Sequence, residues 1–313
     1  MVLHHNFIEI KYTDRVGILS SQNLYATATE IRKIFNKTRL IIKRELFKYN
    51  FSVSGAHVLE DLVMESGGQP LRSLIISTWR SGSTFLGELL TTIPGTYYHY
   101  EPLIAFSALN QIRRPSEELL ALRTVKSLFK CDYKGSDERL NRKDKGGFKG
   151  LYLLKRNPRL WEYCKYKVKL CFADQYLSQI CKLFPFQVMK LVRLRLHLVR
   201  ELLDDKELNL KVILLIRDPR GVMQSRTHCD FCHTPDCLDD SLLCADMIRD
   251  YVAYDIFLPD YSTILQNLFL RSHSNVNKTS PYSTFRVSRK VPFKWKHLLP
   301  FEYVEKIQVC RNS

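Results

Sequence analysis

A three-layer α/β fold with a central parallel sheet is the architecture that this 313-residue sequence predicts. Two buried-strand patterns, at residues 74–76 and 210–216, are continuous apolar runs of the kind found in parallel strands covered on both faces. Each run is followed by a basic turn and then by a helical pattern. With a short strand pattern at residues 187–194, this alternation predicts βα units and ligand binding beyond the carboxyl ends of the strands.

Helices are predicted where apolar residues recur with the period of an α-helix. The predicted helices cover residues 26–48, 117–129, 177–183 and 196–203. The sequence GGQP at residues 67–70 interrupts regular structure before the first strand. We therefore predict a stem-like or packing segment at residues 1–66 and one main domain at residues 67–313, with a loop at residues 134–150.

The turn after the first strand has the composition of a phosphate cradle. Its sequence STWRSGST, at residues 77–84, concentrates an arginine and several hydroxyl side chains around Gly82. The helix start that follows would present unpaired N–H groups and a positive dipole end to an anion. The turn is P-loop-like but not an ATPase loop, since GxxxxGK[ST] is absent and an arginine takes the place of the lysine. An ordinary βα turn is the alternative; the predicted anion-binding residues are Arg80, Ser81, Gly82, Ser83, Thr84 and Phe85.

The second basic turn, RDPRG at residues 217–221, follows the strand pattern at residues 210–216. Arg217 stands at the strand end, and Ser225 lies about two helical turns further on, so both could reach one further phosphate. The alternative is a capped and salt-bridged loop without a ligand.

The charge balance predicts an acidic partner or substrate. Lysine and arginine number 48 against 32 aspartate and glutamate, which gives a net charge of +16. No helix-turn-helix, zinc-finger or RNA-binding signature accompanies the basic residues, so nucleic acid is not the predicted partner. A donor with several phosphates or an already sulfated glycan accounts for the same balance.

Nine cysteines are many for a reduced cytosolic enzyme. The group at positions 229, 232, 237 and 244 permits a zinc site, but the spacing lacks the second close pair of a zinc ribbon. Disulfides in an oxidising lumen are therefore the preferred interpretation, with pairing left open. Three N-glycosylation sequons agree with that compartment, at Asn36, Asn50 and Asn277.

The motifs, in their order along the chain, resemble those of sulfotransferases that use 3′-phosphoadenosine-5′-phosphosulfate (PAPS), specifically the Golgi carbohydrate 6-O-sulfotransferases. The resemblance covers roughly residues 67–310 and rests on TWRSGSTFLGELL, YEPL, VILLIRDPRGVMQSR, HTPDC, LCADM and STFRVSRKVPFKWKHLLPFEYVEKIQ. It implies a sulfotransferase fold and sulfuryl transfer to the 6-hydroxyl of N-acetylglucosamine, galactose or N-acetylgalactosamine in a glycan. It further implies PAPS as co-substrate, no metal, a glycan or glycoprotein acceptor and a Golgi location, with a homo-oligomer left open.

The resemblance also assigns roles to residues. Arg80 and Glu101 are the predicted catalytic residues. Glu101 is chosen because related sulfotransferases place a catalytic carboxylate at the next strand end; its alternative role is a helix cap or a salt bridge before Pro102. His99 is the rival base, since its intrinsic pKa suits proton transfer. The donor-binding set gains Arg217, Ser225, Lys190 and Arg289.

Further assignments concern the rim of this predicted site. Candidates for supporting contacts to the donor are Arg193, Arg286 and Lys290, and candidates for stacking on adenine are Trp79, Phe293 and Trp295. The acceptor pocket is expected to use Tyr152, Arg156, Trp161 and Tyr163. The alternative for each aromatic candidate is packing in the core. The alternative for each basic candidate is a position on the solvated surface without a ligand.

The chain departs from the resemblance in two places. The family is normally anchored by an N-terminal transmembrane helix, whereas the first 15 residues lack a hydrophobic centre. Residues 251–275 also differ from the family pattern, which puts one strand and the final helix in doubt and suggests a shortened C-terminal part. These departures leave two alternatives, a truncated inactive sulfotransferase and a non-catalytic basic glycan-binding paralogue. A nucleoside or small-molecule kinase is a separate alternative, which the missing Lys-Ser/Thr pair disfavours.

Overall fold

Four parallel strands form the central sheet in the computed structural model, which describes residues 26–106, 111–134 and 155–257. The strands are β1 (Leu71–Ser77), β2 (Thr96–Tyr100), β3 (Phe186–Leu191) and β4 (Leu210–Leu215). Their order in the sheet is β2-β3-β1-β4, and each neighbouring pair is parallel. The chain crosses from one side of β1 to the other between β3 and β4, which places a topological switch point at the carboxyl end of β1. The predicted α/β class with a central parallel sheet is confirmed.

Nine α-helices surround this sheet within the described residues. They are α1 (Ala28–Glu45), α2 (Ser83–Leu90), α3 (Pro115–Phe129), α4 (Pro158–Cys164), α5 (Asp174–Cys181), α6 (Arg200–Asp204), α7 (Pro219–Arg226), α8 (Pro235–Leu238) and α9 (Asp240–Phe257). The helix predicted at residues 196–203 is instead a 3-10 turn, Leu196–Val199, that leads into α6. The predicted loop at residues 134–150, beyond Lys134, and the C-terminal segment after residue 257 lie outside the described residues.

Helix α1 is part of the main hydrophobic core. Thr27 and Glu30 form a capping box that satisfies the first N–H groups of the helix. The apolar side chains Ile31, Phe35 and Ile42 are buried at helical spacing and join the core cluster. The described part of the predicted 1–66 segment therefore packs on the domain.

The two faces of the sheet are covered by different helices. Leu74 and Ile76 point into the large core, whereas Ile75 joins a smaller cluster that contains Leu86 and Leu90 of α2. Helix α2 lies very close to the sheet, because a Cβ added at Gly87 would stand 2.0 Å from the Tyr98 hydroxyl. Helices on both faces of one parallel sheet give the three layers that the sequence predicted.

Three disulfides connect cysteines of the described residues: Cys131–Cys181, Cys164–Cys171 and Cys232–Cys237. The preference for disulfides is thereby confirmed, and the last of them uses two cysteines of the group in which zinc was the alternative. Cys229 is a buried thiol that donates to the Ser225 carbonyl at 3.2 Å. Among the helices that the structure describes, none combines the length and apolar character needed to span a membrane.

Candidate anion-binding site at the strand ends

The β1–α2 turn leaves the N-terminus of a helix without a side-chain cap. Gly82 is the N-cap of α2 and adopts φ 98°, a conformation that a residue with a side chain rarely accepts. A Cβ added there would meet no atom within 4 Å, so the space beside the turn is open. Arg80 also has a positive φ, 71°. An open, uncapped helix start beside an arginine fits an anionic ligand.

The hydroxyl residues of this turn divide into two groups. The Ser81 hydroxyl donates to the Thr78 carbonyl at 3.0 Å and lies 2.8 Å from the Thr78 hydroxyl, so it stabilises the turn itself. Ser83 is buried, whereas Phe85 is exposed. The Thr84 hydroxyl lies 3.4 Å from both the Lys190 ammonium and the Tyr100 hydroxyl.

The β4–α7 turn contacts the β1–α2 turn directly. Arg217 Nη1 donates to the Arg80 carbonyl at 2.7 Å, and Arg80 Nε donates to the Ser225 hydroxyl at 2.9 Å. The structure therefore brings Arg80, Arg217 and Ser225 together, although 145 residues separate Arg80 from Ser225 along the chain.

Asp218 makes the second turn a capped loop as well. Its carboxylate accepts from the Arg220 backbone N–H at 2.9 Å and from the Arg220 guanidinium at 2.7 Å. Burial would raise the pKa of Asp218, but the hydrogen bonds and charge of Arg220 outweigh it and keep the pKa below its usual value. Arg217 thus lies beside the first turn, while Arg220 is held by Asp218.

Glu101 is buried at the end of β2 between two cations. Its carboxylate forms ion pairs with Lys190 and Arg193, and its backbone adopts a left-handed φ of 45°. Burial would raise its pKa, but the charges and hydrogen bonds of Lys190 and Arg193 prevail and lower it. Glu101 is therefore ionised at neutral pH, and the strained backbone is of the kind that persists at functional sites.

His99 points to the opposite face of β2. Its ring contacts Tyr97, Phe129 and Tyr133, and Nδ1 lies 3.3 Å from the Tyr133 hydroxyl. Burial, assisted by the charge of Arg72, lowers the pKa of His99 to about 3. His99 therefore lies on the opposite face of the sheet from Tyr100, because successive side chains of a strand alternate between faces.

Trp79 is enclosed by two guanidinium groups. The Arg193 and Arg226 guanidinium carbons lie 5.5 and 5.7 Å from its ring centroid, and the side chain is 6% exposed. The buried ring, in contact with these two cations, leaves little surface for stacking on adenine. Trp79 belongs to the core, the alternative that sequence reasoning had kept open.

Tyr100 lies between Lys190, near the first basic turn, and Arg156, which belongs to the predicted acceptor residues. The Lys190 ammonium lies 4.6 Å and the Arg156 guanidinium 5.5 Å from its ring centroid, and Arg156 pairs with Glu88 of α2. Tyr100 belongs to the YEPL motif but is not among the predicted site residues, and neither is Glu88. The available signal for Tyr100 was strand alternation, which places it on the α2 face.

The other predicted site residues either contact residues away from the two basic turns or lie outside the described residues. Tyr163 is turned toward α1, where Lys37 lies 5.7 Å from its ring, and Trp161 is accompanied by Lys155 at 5.2 Å. No group of three or more His, Cys, Asp or Glu side chains in the described ranges is arranged to hold a metal ion. The candidates outside the described residues are Tyr152, Arg286, Arg289, Lys290, Phe293 and Trp295.

Comparison with known proteins connects this site to a family. Residues 70–276 match the family model of the sulfotransferase domain. Mouse carbohydrate sulfotransferase 5 is 29% identical over 174 residues, which cover 51% of this chain and 44% of that protein. Mouse carbohydrate sulfotransferase 4 is 30% identical over 192 residues, covering 52% and 46%, and human carbohydrate sulfotransferase 6 is 29% identical over 177 residues, covering 51% and 45%.

The chain spans less than half the length of these relatives. No solved structure matches it. The matched range contains both basic turns and all four strands, and it takes up more than half of the chain. The protein therefore belongs to the sulfotransferase family, with carbohydrate sulfotransferases as its relatives.

Proposed function

We propose that the protein transfers a sulfuryl group from PAPS to a hydroxyl group of a glycan, with the 6-hydroxyl of N-acetylglucosamine, galactose or N-acetylgalactosamine as the preferred position. One observation carries the proposal: Arg80, Arg217 and Ser225 from two separate turns meet at the carboxyl end of the central strand. A donor with phosphate groups at both ends of its ribose requires two such cationic positions. The relatives' names, carbohydrate sulfotransferases, support the glycan acceptor. A Golgi location is proposed from the family resemblance of the motifs alone.

Arg80 and the start of α2 suit the phosphosulfate end of the donor. In sulfuryl transfer, the acceptor oxygen bonds to sulfur, the bond from sulfur to the phosphate oxygen breaks, and negative charge grows on the leaving phosphate. Preorganised cations and N–H dipoles stabilise that charge most effectively. Arg80, Gly82 and Thr84 are assigned to this end, with Ser81 and Ser83 shaping the turn and Phe85 at its rim. Arg217 and Ser225 are assigned to the 3′-phosphate, as is Arg289.

Glu101 is proposed as the base that takes the proton of the acceptor hydroxyl. Its carboxylate is ionised at neutral pH, as a base must be, but the ion pairs with Lys190 and Arg193 weaken it as a proton acceptor. We assign Lys190 a second position, toward the donor phosphate near Thr84, which its ammonium already approaches at 3.4 Å. Movement of Lys190 to the donor would raise the pKa of Glu101 when substrate is bound.

The test is to incubate the purified protein with sulfur-35 PAPS and glycans that end in N-acetylglucosamine, galactose or N-acetylgalactosamine. The expected result is label on one acceptor, with the carbon identified by mass spectrometry. Glu101→Gln is expected to abolish turnover while binding of adenosine 3′,5′-bisphosphate persists. The matched control is Glu207→Gln, because Glu207 pairs with Lys130 before the start of β4, at the other end of the sheet.

Three outcomes would contradict the proposal. Absence of label on every acceptor would exclude the transfer reaction for these sugars. Retention of glycans that is indifferent to Glu101→Gln, without turnover, would favour a non-catalytic glycan-binding protein. Magnesium-dependent ATP consumption would point to a kinase.

A further inference from the structure

The disulfides of the chain bear on its covalent modification. Three disulfides, Cys131–Cys181, Cys164–Cys171 and Cys232–Cys237, are typical of a protein that folds in the secretory pathway. In that pathway the sequence Asn-X-Ser/Thr is the acceptor for N-linked glycosylation. Two such sequons, at Asn36 and Asn50, lie in the described residues, and they differ in local structure.

Asn50 occupies an exposed turn after α1. It is the N-cap of the 3-10 turn Phe51–Ser54, with extended backbone angles. The Asn50 amide oxygen accepts from the Ser52 hydroxyl at 2.7 Å and from the Ser52 N–H at 3.2 Å. Both bonds use the amide oxygen, so neither engages the amide nitrogen, which is the atom that carries the sugar. Asn50 and the Ser52 hydroxyl thus stand together on an exposed turn, where one enzyme site can contact both.

Asn36 lies in the middle of α1. Its sequon hydroxyl belongs to Thr38, which is buried and donates to the Ile34 carbonyl at 2.8 Å. The Asn36 amide oxygen accepts from Arg39 Nη1 at 2.7 Å. The asparagine and the hydroxyl of this sequon are therefore held apart by the helix, with one exposed and the other in the core.

Exposed apolar side chains flank Asn50 on both sides. Phe47, three residues before it, is 84% exposed, and Val53, three residues after it, is 79% exposed. Leu40, in α1 and seven residues before Phe47 in the chain, is 66% exposed. Large apolar side chains exposed close together on a protein surface often mark a place that another molecule covers. Because Phe47 and Val53 each lie three residues from Asn50 in the chain, a glycan attached to Asn50 would start close to both.

We propose that Asn50 is an N-glycosylation site of this protein, that Asn36 is not, and that the glycan shields Phe47 and Val53 from solvent. In the modification, the Asn50 amide nitrogen bonds to the anomeric carbon of an oligosaccharide carried on a lipid pyrophosphate. The bond from that carbon to the pyrophosphate breaks, and the amide releases one proton. The proposal is independent of the sulfuryl-transfer reaction, since it requires only passage through the secretory pathway.

The test is to express the 313-residue chain behind a cleavable secretory leader in mammalian cells and to treat total cell protein with peptide N-glycosidase in oxygen-18 water. The peptide that contains Asn50 is expected to carry labelled aspartate in the majority of molecules, and the Asn36 peptide is expected to carry none. Ser52→Ala should remove one glycosidase-sensitive step of gel mobility, whereas Ser52→Thr and the matched control Ser54→Ala should keep it. Because total cell protein is used, a variant retained in the cell still reports its occupancy.

An unlabelled Asn50 peptide, or label on Asn36 instead, would overturn the site assignment; Asn277 is scored separately from its own peptide. The shielding role is tested by enzymatic removal of the glycan from the folded protein. Self-association measured by light scattering should then increase, and it should not increase in a Phe47→Ser/Val53→Ser variant. Unchanged scattering of the deglycosylated protein would exclude that role.

Discussion

The two basic turns at the strand ends differ in how their helices begin. The N-cap of α2 is Gly82, which has no side chain and has open space beside it, whereas the N-cap of α7 is Asp218, whose carboxylate accepts from the Arg220 N–H. An incoming anion can therefore use backbone N–H groups at the first turn but only side chains, Arg217 and Ser225, at the second. Similar strand-turn-helix sequences thus provide two different kinds of anion contact.

The largest expected effect is the loss of stability when Glu101, the counter-charge of two buried cations, is neutralised. Glu101→Gln leaves Lys190 and Arg193 buried without a counter-charge, which we expect to lower the free energy of unfolding by about 3–5 kcal/mol. The pKa of Glu101 is lower in the folded protein than in the unfolded chain, where it is about 4.3. The ionised Glu101 carboxylate therefore stabilises the fold above that unfolded pKa, and this stabilisation is lost as the pH falls through the folded-state pKa. Urea unfolding at pH 7 and pH 3 should show the difference from wild type shrinking in acid. An equal difference at both pH values would exclude the ion pairs as its source.

Replacement of the arginine at the first turn should reduce transfer more than it reduces stability. Arg80→Ala removes a charge beside the open helix start, and we expect turnover to fall by about 10²–10³-fold, as for other preorganised donors to a developing charge. The control is Arg220→Ala on the second turn, whose guanidinium is held by Asp218; a loss below about fivefold is expected. Comparable losses for the two variants in the sulfur-35 assay would mean that the turns do not differ.

The glycine of the first turn can be compared with a glycine elsewhere. Gly82→Ala and Gly55→Ala both place a side chain at positive φ, with no atom within 4 Å of the new Cβ, so each should lose about 1–2 kcal/mol of stability. Only Gly82→Ala fills the space beside the α2 start, and we expect it alone to raise the dissociation constant of adenosine 3′,5′-bisphosphate, by about tenfold. Calorimetric titration and thermal unfolding of both variants measure the two effects separately.

The smallest effect is expected from the cap of the second turn. Asp218→Ala should cost about 1 kcal/mol of unfolding free energy because α7 loses its N-cap. Asp218→Asn keeps the cap and removes only the negative charge, so it measures the contribution of the charge alone. The pKa of Asp218 is lowered in the folded protein, so the advantage of wild type over Asp218→Asn should be lost as the pH falls through that pKa. Chemical unfolding between pH 7 and pH 2 checks this; an advantage that grew in acid would be inconsistent with the Arg220 pair.

The sequence predicted three of the four strands, β1, β3 and β4, and the two turns because their signals are local. Continuous apolar runs identify β1 and β4, and the residues of each turn are adjacent in the chain. The environment of Glu101 could not be predicted in this way, since Lys190 and Arg193 lie about 90 residues further on and reach Glu101 only through the β2–β3 pairing that aligns Tyr100 with Lys190. The burial of His99 and Trp79 also depends on tertiary contacts, so their chemistry could not be judged from residue type.

The position of Trp79 has an optical consequence. Trp79 precedes Arg80 in the chain, and its ring lies close to both the Arg193 and the Arg226 guanidinium groups. We therefore expect its fluorescence to respond to an anion that changes the electric field at the first turn. The protein thus contains an intrinsic reporter for ligands that arrive at the strand ends. With Trp161 and Trp295 replaced by phenylalanine, emission from this single indole would follow nucleotide occupancy in real time without an attached dye.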